Sequence, residues 1–100
     1  MKVFTFKNAD QDRIKKKYSC SFDENGQIES IIIRSSIVFI EDDEFSFLNS
    51  LKSVFIGKNV KNIGKRAFAH CSNLECVTFD KESMLGCISE CAFFNCEKLS

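Results

Sequence analysis

The chain contains no proline and no tryptophan, and among its 100 residues there are only four glycines and one histidine. A lone His70 leaves no histidine pair to share a metal ion or relay a proton, and glycines this sparse build no G-x-G-x-x-G or phosphate loop. An excess charge of one sign is also missing. Fourteen Lys and Arg balance fourteen Asp and Glu, so no global field gathers DNA, RNA or an anionic membrane surface. No apolar run approaches the roughly 18 residues of a membrane span. The opening MKVFTFKNADQ lacks the apolar run and small-residue cleavage site of a secretory leader. The expected location is therefore the cytoplasm.

What is present in quantity is phenylalanine, eleven residues, and it recurs at regular positions. The stretch Leu51 to Asn73, LKSVFIGKNVKNIGKRAFAHCSN, organises the rest. Shifted back by 23 residues, Leu51, Val54, Ile56, Ile63 and Phe68 fall on Ile28, Ile31, Ile33, Ile40 and Phe45. Shifted forward, Leu51, Val54 and Ile56 fall on Leu74, Val77 and Phe79. After a two-residue insertion in the turn Asp80 to Ser83, Ile63, Ala67, Phe68 and Cys71 meet Ile88, Ala92, Phe93 and Cys96. A period of 20 to 30 residues signals a stacked array in which each copy hides its apolar side against the next. The grammar L-x-x-V-x-I is one short strand preceded by a core anchor, the strand of a leucine-rich repeat.

The expected fold is an α/β repeat solenoid: a short right-handed array with a parallel β-sheet on one face and short helical or 3-10 turns on the other. Residues 1–27 form an N-terminal β cap, residues 28–50, 51–73 and 74–98 are repeats, and Leu99 opens a fourth. In the cap, Phe4 and Phe6 alternate with polar residues, Asn8 to Asp12 reads as a turn, and Ile14, Tyr18, Cys20 and Phe22 share one parity, which predicts strand or hairpin. Acids at Glu41 to Asp43 suit free backbone N–H groups at the start of a short helix or turn. Ala67, Phe68 and Cys71 are spaced for one face of one or two helical turns.

Parallel strands from successive repeats bring two sets of residues into play. Ile31, Ile33, Val54, Ile56, Val77 and Phe79 point inward and join Ile63, Ala67, Phe68, Cys71, Ile88, Ala92, Phe93 and Cys96 in the scaffold core. Ser30, Ile32 and Arg34, Ser53 and Phe55, and Cys76, Thr78 and Asp80 project from the other side, where a protein partner is recognised. Ile32 and Phe55 are the informative pair, because adjacent apolar groups at solvent-facing positions can anchor a partner. Strand propensity alone, or cover by another protomer, also accounts for them.

The candidate chemistry is thin. The basic run Arg13 to Lys17 admits a nucleic-acid reading, but Asp10, Asp12, Asp23 and Glu24 flank it and no aromatic platform accompanies it, so a solvated cap surface is expected. Six cysteines suit either a disulfide scaffold or free thiols. Cys71 and Cys96 occupy equivalent apolar sites, where reduced cysteine packs well, and free thiols are expected. Cys87, Cys91 and Cys96 offer a weak zinc reading without any C-x-x-C pair. No metal, cofactor or catalytic group is expected, and the chain reads as a non-enzyme. An unclosed fourth repeat leaves apolar surface at the C-terminal end and predicts self-association there.

The segments IGKRAFAHCSNLECVTF, residues 63–79, and CISECAFFNCEKL, residues 87–99, resemble the I-G-x-x-A-F-x-x-C-x-x-L core of the BspA-type, or treponemal-type, leucine-rich repeats of bacterial surface antigens and trichomonad proteins. FDKESMLGCI is similar to a longer, acid-bearing repeat variant of the protozoan members. The likeness covers residues 28–100. In the first copy Glu41 stands where Gly64 does, Glu44 replaces Ala67 and Leu48 replaces Cys71. The resemblance implies a curved array that binds other proteins, in some relatives as an adhesin at the cell surface. It carries over scaffold residues only, and it makes display at the cell surface, by a non-classical route or within a longer protein, the alternative location.

Overall fold

The computed structural model describes residues 10–99. In chain order the elements are α1 (Gln11–Lys17), β1 (Ser19–Phe22), β2 (Ile28–Ile33), β3 (Phe39–Ile40), β4 (Ser53–Ile56), β5 (Asn62–Ile63), β6 (Cys76–Phe79) and β7 (Cys87–Ile88). They form two sheets, ordered β1-β2-β4-β6 and β3-β5-β7. β-Branched residues dominate β2, and such residues favour a pleated, half-buried surface. Ile31 pairs with Val54 and Val54 with Val77, while Ile40 pairs with Ile63 and Ile63 with Ile88, all in parallel. The repeat read from the sequence is thus the register of the fold: each coil crosses two sheets.

The third side of each coil differs from the helical or 3-10 expectation. Residues 42–47, 65–70 and 90–95 are runs of turns. Asp43 and Phe47, Arg66 and His70, and Cys91 and Asn95 all have φ between 56° and 63°. A left-handed residue at every fourth place prevents an α-helix. It also turns alternate N–H groups toward the next coil: those of Asp43, Phe45 and Phe47 donate to the carbonyls of Lys65, Ala67 and Ala69 at 2.9, 2.7 and 2.8 Å. Phe68 and His70 repeat this with Ala92 and Phe94 at 2.8 and 2.7 Å. These bonds between coils offset a left-handed backbone that costs about 1–2 kcal/mol per non-glycine residue.

The cap also departs from expectation. Phe4 and Phe6 lie outside the described residues, and Gln11 to Lys17 is helix, not strand. The Asp10 carboxylate accepts the N–H of Arg13 at 3.2 Å as an N-cap, with Asp12 in the first turn and Lys15, Lys16 and Lys17 in the last. Both charge placements complement the helix dipole. Ile14 and Tyr18 share a strand parity, but they are also four residues apart on one helical face, and both are buried. The hairpin expectation holds for β1, which pairs antiparallel with β2. The Asp23 carboxylate closes their turn by accepting the N–H groups of Asn25 and Gln27, both at 2.9 Å.

The interior is continuous. Phe45, Phe68 and Phe93 stack through the coils at centroid separations of 4.9 and 5.2 Å, and Tyr18 meets Phe45 at a tilt with centroids 5.1 Å apart. Fully burying one such ring is worth about 1.5–3 kcal/mol. Between coils the backbones come close: a Cβ at Gly57 would overlap the Ile33 carbonyl, and one at Gly64 would lie 2.6 Å from both N and Oδ1 of Asp42. Ile31, Ile33, Val54, Ile56, Ile63, Ala67, Phe68, Cys71 and Ala92 are all buried. The rest of the expected core is not. Phe79 and Ile88 are exposed and Val77, Phe93 and Cys96 half-buried, because they lie on the third coil, whose outer side no described residue covers.

Candidate functional site

Register places the outward side chains of the larger sheet in two rows. One runs Ser21, Ser30, Ser53, Cys76 and the other Ser19, Ile32, Phe55, Thr78. Ile32 is 50% exposed and Phe55 beside it is half-buried. Hydroxyl groups border them. Those of Ser21 and Ser30 are hydrogen-bonded to each other, and the Cys76 thiol lies 3.5 Å from the Thr78 hydroxyl. Short polar groups thus border the apolar pair on this face.

Ser30, Ile32, Ser53, Phe55, Cys76 and Thr78 thus share one face. Arg34 and Asp80 lie just beyond the strand ends and have local duties. Arg34 donates from Nε to the Ser19 hydroxyl at 2.9 Å, and the Asp80 carboxylate accepts the N–H of Glu82 at 2.9 Å. Sequence reasoning missed Ser19 and Ser21, which extend the face onto the cap. The signal lay in the turn DENGQ, which sets the register of β1 against β2.

A second cluster joins α1 to the first coil. The Glu44 side chain, 1% exposed, accepts from the Arg13 guanidinium at 2.7 Å and the Tyr18 hydroxyl at 2.6 Å, with Lys17 at 3.6 Å. Glu41 adds contacts to Arg13 at 3.0 Å and Lys17 at 3.5 Å. Burial, with the Glu44 carboxylate beside it, pushes the Tyr18 phenol well above its ordinary value. The basic run is accordingly part structural: Arg13 and Lys17 hold the cap, whereas Lys15 and Lys16 face solvent.

The thiols divide by depth. Burial pushes Cys71 up to about 12 and raises Cys96 and Cys20 as well. Cys71 donates to the Phe45 carbonyl at 3.1 Å and Cys96 to that of Phe68 at 3.0 Å, so both thiols bond back to the preceding coil. A protonated, buried thiol is a poor nucleophile. His70 stacks on Phe47 at 4.4 Å, meets Phe94 edge-on at 5.4 Å and has Asn95 at 3.2 Å. All six cysteines are free. Among the described residues no three His, Cys, Asp or Glu side chains are grouped to hold a metal ion, and no helix is long and apolar enough to cross a membrane.

Comparison with known proteins agrees with the coils. The family model for the BspA type leucine rich repeat region, a model of six copies, matches residues 4–100. No curated protein matches. Among solved structures, the crystal structure of the pneumococcal vaccine antigen PcpA is similar, with 26% identity and a TM-score of 0.45 over 79% of this chain. The chain spans 25% of the length of that one. With the repeat register, both parallel ladders and a family match over nearly all its length, the chain belongs to the BspA-type leucine-rich repeat family.

Proposed function

We propose that the chain is a non-enzymatic protein-interaction module, and that it binds a protein partner through the outward face of its larger sheet. Residues 1–27 act as the cap, residues 28–50, 51–73 and 74–98 as repeats of a right-handed array, and Leu99 as the start of another. A right-handed sense is the near-universal choice for parallel strands joined by a crossover. The single observation that carries the binding role is the adjacent pair Ile32 and Phe55 at solvent-facing register positions, framed by Ser19, Ser30, Ser53, Cys76 and Thr78. Arg34 and Asp80 flank the face. No nucleic acid, membrane span, metal or cofactor enters this role. Cys71 and Cys96, packed at equivalent positions and bonded to backbone carbonyls as thiols, favour a cytoplasmic setting, with cell-surface display in the manner of an adhesin as the competing location.

The test is capture of partners from the source cell with wild type, with Ile32→Asp/Phe55→Asp, and with Ile88→Lys at the C-terminal end. The proposal expects the sheet variant to fold, by circular dichroism, and to lose a partner that Ile88→Lys retains. A partner list unchanged in the folded sheet variant would refute it.

A second reading has its own observation: Phe79, Ile88, Met84 and Phe94 are 38, 50, 56 and 52% exposed on the third coil. In that reading the C-terminal end self-associates and the chain is a structural unit.

A further inference from the structure

The turn that joins β1 to β2 carries a reactive pair. Of seven asparagines in the chain, only Asn25 precedes a glycine. Both residues are exposed. Gly26 has a φ of 79°, and a Cβ built on it would meet nothing within 4 Å. Glycine is therefore required here by the left-handed backbone of the turn and not by packing. The same choice leaves the backbone nitrogen that follows Asn25 without a side chain to shield it.

An asparagine carboxamide beside an unshielded backbone nitrogen can close on it. The Gly26 nitrogen gives its proton to hydroxide and bonds to Asn25 Cγ. The Cγ–Nδ2 bond breaks, and ammonia leaves with a proton from water, which restores the hydroxide. Water then opens the five-membered imide. Opening at Cγ gives aspartate at this position; opening at the main-chain carbonyl gives isoaspartate, whose backbone runs through Cβ and Cγ and is one atom longer. One water is consumed and one ammonia released, and nothing is oxidised or reduced.

The fold opposes the first step. The Gly26 N–H donates to the Asp23 carbonyl at 3.0 Å, and the Asp23 N–H donates to the Gln27 carbonyl at 2.8 Å. The Asp23 carboxylate accepts the N–H groups of Asn25 and Gln27, both at 2.9 Å. To reach Cγ, the Gly26 nitrogen must leave the Asp23 carbonyl, and the turn must open around it.

We propose that Asn25 is a deamidation site that Asp23 holds closed in the folded chain, and that its isoaspartyl form loosens β1 from β2. A backbone one atom longer cannot keep Asn25 and Gln27 on one carboxylate while Asp23 stays bonded to Gln27. The strain falls on the adjoining ladder, where Ser21 pairs with Ser30 and their hydroxyls are hydrogen-bonded. The parallel pairing of β4 with β6 lies two strands away and keeps its register. The site exists whether or not the sheet face binds a partner.

The experiment follows the 100-residue chain in mildly alkaline buffer at physiological temperature, folded and in guanidinium chloride, by intact mass and by peptide mapping that separates aspartyl from isoaspartyl products. In denaturant Asn25 should convert before any other asparagine, with isoaspartate as the larger product, and Gly26→Ala should slow it there, where folding plays no part. In the folded chain conversion should be slower by about tenfold or more, the factor that one or two net hydrogen bonds are worth. Asp23→Ala, if folded by circular dichroism, should recover most of the denatured rate, whereas Asp23→Asn, which keeps an acceptor in place, should stay slow. In the isolated isoaspartyl form the amide resonances of Ser21 and Ser30 should move and those of Phe55 and Thr78 should not. Asn25→Asp, which adds the charge without lengthening the backbone, should leave all four in place. Equal rates in the folded and denatured wild type would overturn the restraint, another asparagine leading in denaturant would overturn the site, and an unmoved Ser21 in the isoaspartyl form would overturn the loosening.

Discussion

Replacing Glu44 by alanine tests how the cap is fastened to the array. Alanine occupies the equivalent sites, Ala67 and Ala92, both buried, so the backbone there accepts it. The substitution removes the acceptor of the Tyr18 hydroxyl, 2.6 Å away, and of the Arg13 guanidinium, 2.7 Å away. Arg13 is 44% exposed and can return to water, so its share is discounted. The buried phenol cannot, and an unsatisfied buried donor costs about 1–3 kcal/mol. Removing a buried carboxylate also recovers part of its desolvation cost. The net expectation is a loss of about 2 kcal/mol, below the ~3–5 kcal/mol for breaking a fully buried pair. At about 4–8 °C per kcal/mol for a chain of this size, the melting point falls by roughly 10 °C. Urea titrations of wild type, Glu44→Ala, Tyr18→Phe and the double variant supply the cycle. Tyr18→Phe should cost about 1–2 kcal/mol in the wild type and should restore about 1–3 kcal/mol once Glu44 is gone, because it then removes an unsatisfied buried donor. Losses that add within about 0.3–0.5 kcal/mol would refute the coupling.

Three other outcomes follow from the same contacts. Gly64→Ala should destabilise by about 1–3 kcal/mol through overpacking against Asp42, read from the urea midpoint; an unchanged midpoint would mean that the coils can separate freely. The Cys71 thiol is raised in the fold, so the stability it contributes is complete below its unfolded value of 9.0 and drains away as pH climbs toward about 12. Linkage puts that loss at about 2 kcal/mol by pH 10.5, and Tyr18, also raised, adds to it at higher pH. Cys71→Ala should flatten the stability profile between pH 9 and pH 11, and an equally steep profile would contradict the assignment. Elemental analysis of purified protein should find no stoichiometric zinc; one zinc per chain would mean that Cys87, Cys91 and Cys96 form a ligand set after all.

The coils were legible in the sequence because each core position recurs at the same offset, and strand pairing turns that offset directly into register. Ile31, Val54 and Val77 needed no structural knowledge to be aligned. The cap was not legible in this way. Ile14 and Tyr18 satisfy a strand parity and a helical face equally, and the deciding signals, Asp10 as N-cap and lysines in the last turn, are local ones that the alternation obscured. The runs of turns were hidden for another reason: the left-handed residues are as different as Arg66, His70 and Cys91, so backbone conformation there is imposed by bonds between coils rather than by residue type. Glu44 stood out as a departure from alanine, yet its partners lie about 30 residues away on a helix that had been read as strand. Of the sheet face, the β2, β4 and β6 residues followed from parity, while Ser19 and Ser21 required the register of β1.

A shared interior that leaves Ile32 and Phe55 facing out together is tested most directly by side-chain NOEs in solution. Cross-peaks should join Ile32 to Phe55 and Phe55 to Thr78, and Val54 should connect to Ile31, Val77 and Phe68 but not to Ile32. Cross-peaks joining Ile32 to Val54, or none between Ile32 and Phe55, would contradict it.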